Sequence, residues 1–107
     1  MDKIKVGLVG CGGMGTRHLF GLGELGKTHF NNIEMAAVCD IRRDNAEMAA
    51  DEAEKLLGHR PEVFTDLAEM NRQVSDLVAV DVVVDPSVHH TVVCQALDLG
   101  LHVMVEK

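Results

Sequence analysis

A chain of 107 residues, 47% hydrophobic and 25% charged, has the material for one compact domain, and with only two prolines it has little of the composition that keeps a segment disordered. Its net charge of −7 at pH 7 repels phosphodiester backbones and anionic lipid alike, which argues against nucleic-acid and membrane-surface roles, and no apolar stretch is long enough to span a bilayer. The three cysteines, Cys11, Cys39 and Cys94, are odd in number and show no C-x-x-C spacing, so neither a disulfide framework nor a zinc ribbon is expected and a reducing cytoplasm suits them.

Met1-Asp2-Lys3 leads into an apolar run, Ile4 to Val9, that is interrupted by glycine and followed by no small-residue cleavage site, unlike a secretory signal. The run is too short for a helix and reads as a buried strand. The glycine-rich turn Gly10 to Gly15 follows and opens an apolar-striped helix; Gly21 to Asn32, with glycines and the pair Asn31-Asn32, is the loosest stretch, a helix end plus a loop. Met35 to Cys39 is the second strand. Ala46, Ala49, Ala50, Ala53, Leu56 and Leu57 then recur at helical spacing opposite Glu47, Glu52, Glu54 and Lys55, with Asp44 and Glu47 as an N-terminal capping box and Gly58 as a left-handed stop.

Val63-Phe64 reads as a brief strand, Thr65 to about Met70 as a short helix, and Val80 to Val84 as a strand with no polar alternation, as expected where helices cover both faces of a sheet. A helix from about Ser87, as cap, through Val92, Val93, Ala96 and Leu97 to Gly100 leads to the last strand, Val103 to Val105. Strands alternating with helices predict an α/β fold: a doubly wound parallel sheet of Rossmann type, three layers α/β/α, with right-handed crossovers. Residues 1–107 form one such domain, with no internal repeat.

Gly10, Gly12 and Gly15 match G-x-G-x-x-G directly after a strand and at the start of a helix, the context in which that pattern binds a dinucleotide. Gly10 permits the turn, Gly12 lets the backbone approach a pyrophosphate, and Gly15 lets the helix pack on the strand; the anion then rests over Gly10-Cys11-Gly12-Gly13-Met14-Gly15 on free N–H groups at the positive end of the helix dipole. The alternative is a glycine-rich turn with no ligand. A second demand of the pattern is an acid at the end of the next strand for the adenosine ribose hydroxyls, and Asp40 stands there, near the expected interval of about 20 residues; its bland alternative is a capping or solvated turn acid. A carboxylate at that point disfavours the 2′-phosphate of NADP and makes NAD the first choice. Arg42 and Arg43 just beyond it favour NADP unless they are solvated or paired with Asp44 and Glu47.

GLVGCGGMGTRHL from Gly7 to Leu19, AAVCD from Ala36 to Asp40, and Asp81 to His90 followed by Ala96-Leu97, Gly100, His102-Val103 and Glu106-Lys107 together resemble the N-terminal half of the glucose-fructose oxidoreductase, inositol dehydrogenase and rhizopine-catabolism (Gfo/Idh/MocA) family. The resemblance covers nearly the whole chain. It implies a dehydrogenase that oxidises a hydroxyl, often of a sugar or polyol, by hydride transfer to a nicotinamide. It also implies that Lys107, matching the lysine of a Glu-Lys-Pro motif, is the catalytic group that polarises the substrate hydroxyl, with a solvated terminal lysine as the alternative. Glu106 then lies near the nicotinamide ribose, and Pro86 and His90 line the nicotinamide side of the cleft. Asp85 departs from the family's usual threonine and is expected to add negative charge beside the cofactor phosphates.

The chain stops before the motif's proline and before the second, substrate-holding domain, so it is expected to be a fragment or a truncated product that binds dinucleotide without turnover, since hydride donor and acceptor must be held within reach of each other. Small-molecule substrate enters only with the missing domain, the flank meant for that domain is expected to be adhesive, and a homo-oligomer is compatible with it. The rival is a non-catalytic module of the same fold that senses dinucleotide or binds a protein. His18, His29, His59, His89, His90 and His102 fall on different elements without a ligand pair at i, i+4, so no metal site is expected. Cys11 could be activated by the helix N-terminus, although a small side chain that merely fits the turn is the simpler reading, and the methionines read as packing.

Overall fold

The computed structural model describes residues 3–25 and 32–105. Among them the chain alternates strand and helix: β1 (Ile4–Val9), α1 (Gly13–Leu25), β2 (Ile33–Cys39), α2 (Arg43–Leu57), β3 (Glu62–Phe64), α3 (Leu67–Gln73), β4 (Leu77–Val82), a 3₁₀ turn (Pro86–Val88), α4 (His89–Asp98) and β5 (His102–Val105). All neighbouring strands pair in parallel in the order β3-β2-β1-β4-β5, so the first strand is central and the chain reverses its direction of growth between β1 and β4. This is the doubly wound arrangement predicted from the alternation, and its ligand crevice belongs at that reversal, beyond the carboxyl ends of the strands.

Two apolar clusters, one on each face of the sheet, make the three layers. Leu8, Met35 and Val38 pack against Leu19 of α1 and the alanine stripe Ala46, Ala49, Ala50 and Ala53 of α2. On the other face Val9, Ala37, Val80 and Val82 pack against Leu67 and Met70 of α3 and Ala96 of α4. The alanines let α2 lie close to the sheet, and Gly23 lets α1 pass α2 closely, since a Cβ there would stand 3.4 Å from Leu56. Toward β5 no helix among the described residues lies over the α1-side face: Met104 is 62% exposed, and Ile4 is exposed with it. A cavity of about 540 Å³ lies along this face, bounded by Val6, Leu22, Met35, Asp81 and Met104.

Several boundaries differ from the expectation for identifiable reasons. Helix α1 runs on through Gly21 and Gly23 to Leu25, and the remainder of the expected loop, 26–31, lies outside the described residues. Strand β4 begins at Leu77 and ends at Val82, with Val83 N–H making a last bond to Val9 O at 2.7 Å. The capping box Asp44–Glu47 does not form. The N-cap of α2 is Arg42, with no side-chain cap, and Asp44 lies inside the first turn, where its charge still suits the dipole. Gly58 does end that helix, at φ 85°. Ser87 is not the cap before α4 either: Asp85 accepts the Ser87 N–H at 2.9 Å and Pro86 takes the first position of the 3₁₀ turn, where its missing N–H costs nothing. The short helix starts at Leu67, capped by Asp66, whose Oδ2 accepts the Glu69 N–H at 3.1 Å. Replacing that cap, Asp66→Ala, is expected to lower stability by about 1 kcal/mol, read as a lower urea midpoint at unchanged slope.

Candidate functional site: the glycine turn and its crevice

The turn after β1 is fixed at its ends and open in its middle. Gly10 sits at φ 98°, where a Cβ would fall 2.1 Å from the carbonyl oxygen of Val83, and a Cβ on Gly15 would fall 2.4 Å from Gly10 O. Both positions therefore need glycine for the fold itself. A Cβ on Gly12 or Gly13 would meet nothing within 4 Å. No contact within the protein requires glycine there, yet the open space above those residues is where an anion would approach the first N–H groups of α1. Thr16 closes the first turn, its N–H and hydroxyl both donating to Gly12 O at 3.0 and 3.2 Å. Met14 is exposed at the rim.

Asp40, at the end of β2, is joined directly to this turn. Its Oδ2 accepts the Cys11 N–H and its Oδ1 accepts the Arg42 N–H, both at 2.9 Å. Gly10 N–H in turn donates to Cys39 O at 2.8 Å. The acid is thus an anchor of the turn. The two arginines beyond it are turned toward acids on α2: Arg42 Nε lies 3.9 Å from Asp44, and Arg43 Nε lies 3.4 Å from Glu47. A 2′-phosphate would have to compete with those carboxylates and with Asp40.

The opposite wall of the crevice is the segment after β4. Asp85 and Pro86 are exposed in the 3₁₀ turn. The Ser87 backbone N–H, followed by the Ser87 side chain and the nearby His89, holds the Asp85 carboxyl below the usual carboxylate range, so it is charged at neutral pH. His90 lies on the exposed side of α4 with its ring 3.8 Å from Cys94 Sγ. Its neighbour His89 is the imidazole turned inward, and its Nε2 is buried without a partner among the described residues. Glu106 and Lys107 lie outside the described residues. No cluster of three metal-binding side chains occurs among the described residues, and no helix there is long and apolar enough to cross a membrane.

Cys11 does not behave as a helix-activated thiol. It is 5% exposed, its Sγ donates to Cys39 O at 3.4 Å, and burial, followed by the charge of Asp40, pushes its pKa up from 9.0 to about 12. Burial pushes Cys39 to about 12 as well. Because both folded values lie above the unfolded one, their contribution to stability is complete below pH 9.0 and is lost as pH rises toward about 12. The urea midpoint is therefore expected to fall over that window, and to fall less steeply in Cys11→Ala/Cys39→Ala.

Comparison with known proteins agrees with this geometry. Residues 4–107 match the model of the Gfo/Idh/MocA oxidoreductase family, in its NAD-binding Rossmann fold. The chain belongs to that family. Among its relatives, the glycosyl hydrolase family 109 protein 1 of Akkermansia muciniphila is 33% identical over 99% of this chain, which spans 22% of that protein. The WlbA dehydrogenase from Chromobacterium violaceum, solved with NADH and UDP-GlcNAcA, is 33% identical with a TM-score of 0.74, over 100% of this chain and 28% of its own. GenD2 from gentamicin A biosynthesis, solved with NAD, shares the fold at a TM-score of 0.80 and 23% identity, over 100% of this chain and 27% of its own. This Gfo/Idh/MocA chain thus spans roughly a quarter of the length of these relatives, and the part it spans is the NAD-binding domain. Sequence motifs had marked the glycine turn, Asp40, Arg42, Pro86 and His90. They gave no sign of the inward turn of His89, nor of a contact between His18 and Asp81 that ties α1 to β4.

Proposed function

We propose that this chain is the cofactor domain of an NAD-preferring dehydrogenase that moves a hydride between the nicotinamide and a hydroxyl of a sugar, polyol or related small molecule. The observation that carries the reading is the open space over Gly12 and Gly13 in a turn otherwise closed by sterics, with a carboxylate anchored beside it at the strand-order reversal. The amides at the start of α1 hold the pyrophosphate, with Gly12 and Gly13 beneath it and Met14 at the rim. Asp40 accepts the ribose hydroxyls, while Arg42 and Arg43, already facing acids, leave a 2′-phosphate poorly served. Pro86 and His90 lie on the nicotinamide side. When bound, the dinucleotide supplies the hydride acceptor. The relatives are roughly three and a half to four and a half times as long as this chain, which leaves room for a substrate domain carrying the remaining catalytic groups. The Glu106-Lys107 pair supplies Lys107 to polarise the substrate hydroxyl and Glu106 to serve the nicotinamide ribose. The bare apolar face around Ile4 and Met104 is one seat for that domain, and the free thiols fit a cytoplasmic protein. Calorimetric titration tests the cofactor assignment: NAD⁺ is expected to bind at least tenfold more tightly than NADP⁺, and equal affinity would overturn the preference.

A further inference from the structure

The buried charge of this domain is not in the glycine turn. Asp81, in the middle of β4 between Leu8 of β1 and Met104 of β5, is 5% exposed and is the one charged residue buried among those described. Its Oδ2 lies 2.5 Å from His18 Nδ1, while its Oδ1 has no partner among the described residues. A carboxylate only accepts, so His18 donates from Nδ1 and its tautomer is set by the contact. For the fold alone this is a poor choice. Val80 and Val82 occupy the neighbouring positions of the strand, and a buried polar pair is commonly matched or bettered in stability by well-packed apolar residues.

What the pair provides is direction. Helix α1, GMGTRHLFGLGEL, contains four glycines and no acid in its first turn, so it has little stability of its own and takes its position from what it touches. Leu19 and Gly23 hold it against the core and α2, and Gly15 against Gly10. Those close-packed contacts set the distance of the helix from its neighbours, and the Asp40–Cys11 bond anchors the turn before it. His18 lies one turn beyond Gly15 and reaches toward β4, the strand whose continuation through Val83 and Val84 forms the far wall of the crevice. A hydrogen bond there is sensitive to angle and to a few tenths of an ångström.

We infer that His18 and Asp81 are positioning residues that lock the start of α1 onto β4, so that the amides of Gly13 to Thr16 are held at a fixed place relative to the opposite wall. The inference rests on the glycine turn being the pyrophosphate site. Without the tie the helix still packs, but its first-turn amides no longer meet the phosphates in one geometry.

The test compares the protein with His18→Leu/Asp81→Val, which removes the pair and leaves no orphan charge, and with Asp81→Asn, which keeps an oxygen toward His18. Each is read by NAD⁺ calorimetry, thermal melting and amide hydrogen exchange of the cofactor-free protein. The double variant is expected to melt within a few degrees of the parent. Its Kd for NAD⁺ should rise about tenfold, or about 1.4 kcal/mol, with faster exchange at the hydrogen-bonded amides of the first turns, Thr16 to Leu19. Asp81→Asn should stay within about threefold of the parent. A double variant that binds NAD⁺ like the parent, with exchange unchanged at those amides, overturns the inference. If it does not fold, His18→Ala, which leaves β4 intact, is read in the same way and with the same two outcomes. Failure of the site assignment looks different: Gly12→Val would then leave NAD⁺ binding intact while exchange at Thr16 to Leu19 still responds to the double variant.

Discussion

Gly12→Val is expected to abolish detectable dinucleotide binding while leaving the melting temperature close to that of the parent. The separation of the two effects follows from the geometry of the turn. A Cβ at Gly12 meets no protein atom within 4 Å, so the branched side chain has room in the free domain, whereas at Gly10 or Gly15 a Cβ would collide with backbone carbonyls. The added methyls fill the space through which a phosphate would approach the first amides of α1. Losing two charge-assisted hydrogen bonds of about 2 kcal/mol each corresponds to roughly a thousandfold in Kd. Calorimetry and a thermal melt on the same sample decide the matter. Binding that survives Gly12→Val would remove the turn from the site, and a large fall in melting temperature would mean that Gly12 serves the fold after all.

Asp40→Ala is expected to raise the Kd for NAD⁺ about thirtyfold, and that for NADP⁺ by much less, because the carboxylate serves ribose hydroxyls in one cofactor and repels the 2′-phosphate of the other. The structure adds a second consequence. Asp40 also accepts the N–H groups of Cys11 and Arg42, so its removal leaves both amides without their acceptor and costs about 1–2 kcal/mol of stability. Asp40→Asn separates the two roles: its amide oxygen still serves one backbone N–H while the charge is gone. In that variant only part of the stability should return, because the amide nitrogen faces the other N–H, and the balance between cofactors should still move toward NADP⁺. Equal losses for both cofactors would show that Asp40 acts only as an anchor of the turn.

The order of the elements was legible because each carries its own period: unbroken apolar runs such as Leu8-Val9 for strands covered on both sides, and the spacing of Ala46, Ala49, Ala50 and Ala53 for a helix laid on a sheet. The ends were less legible, since a stripe of apolar residues shows which face is buried and says little about where hydrogen bonding begins. Asp44 resembles a cap in sequence, yet Asp40 takes the Arg42 N–H and the chain enters the helix at Arg43. Asp85 was read only for its charge near phosphates, although an acid immediately before a proline is also a cap signal, and capping Ser87 is what it does. Of the site, the glycines and Asp40 could be placed because spacing along one strand-turn-helix-strand unit defines them. The contact between His18 and Asp81 joins residues 63 apart, and neither stands out alone: one is a histidine on a helix, the other the first letter of a valine run.

The strand order has a bearing on how this sheet meets other chains. Its β3 edge is three residues long, preceded by Pro61, and a strand so short offers an intruding segment few backbone groups to pair with. At the other edge β5 is also short, at four residues, but carries exposed Met104 and Val105. Among the described residues both edges are therefore short, and the one at β5 is distinguished by the apolar side chains it exposes, the place where a further strand or a neighbouring molecule would bury the most apolar surface.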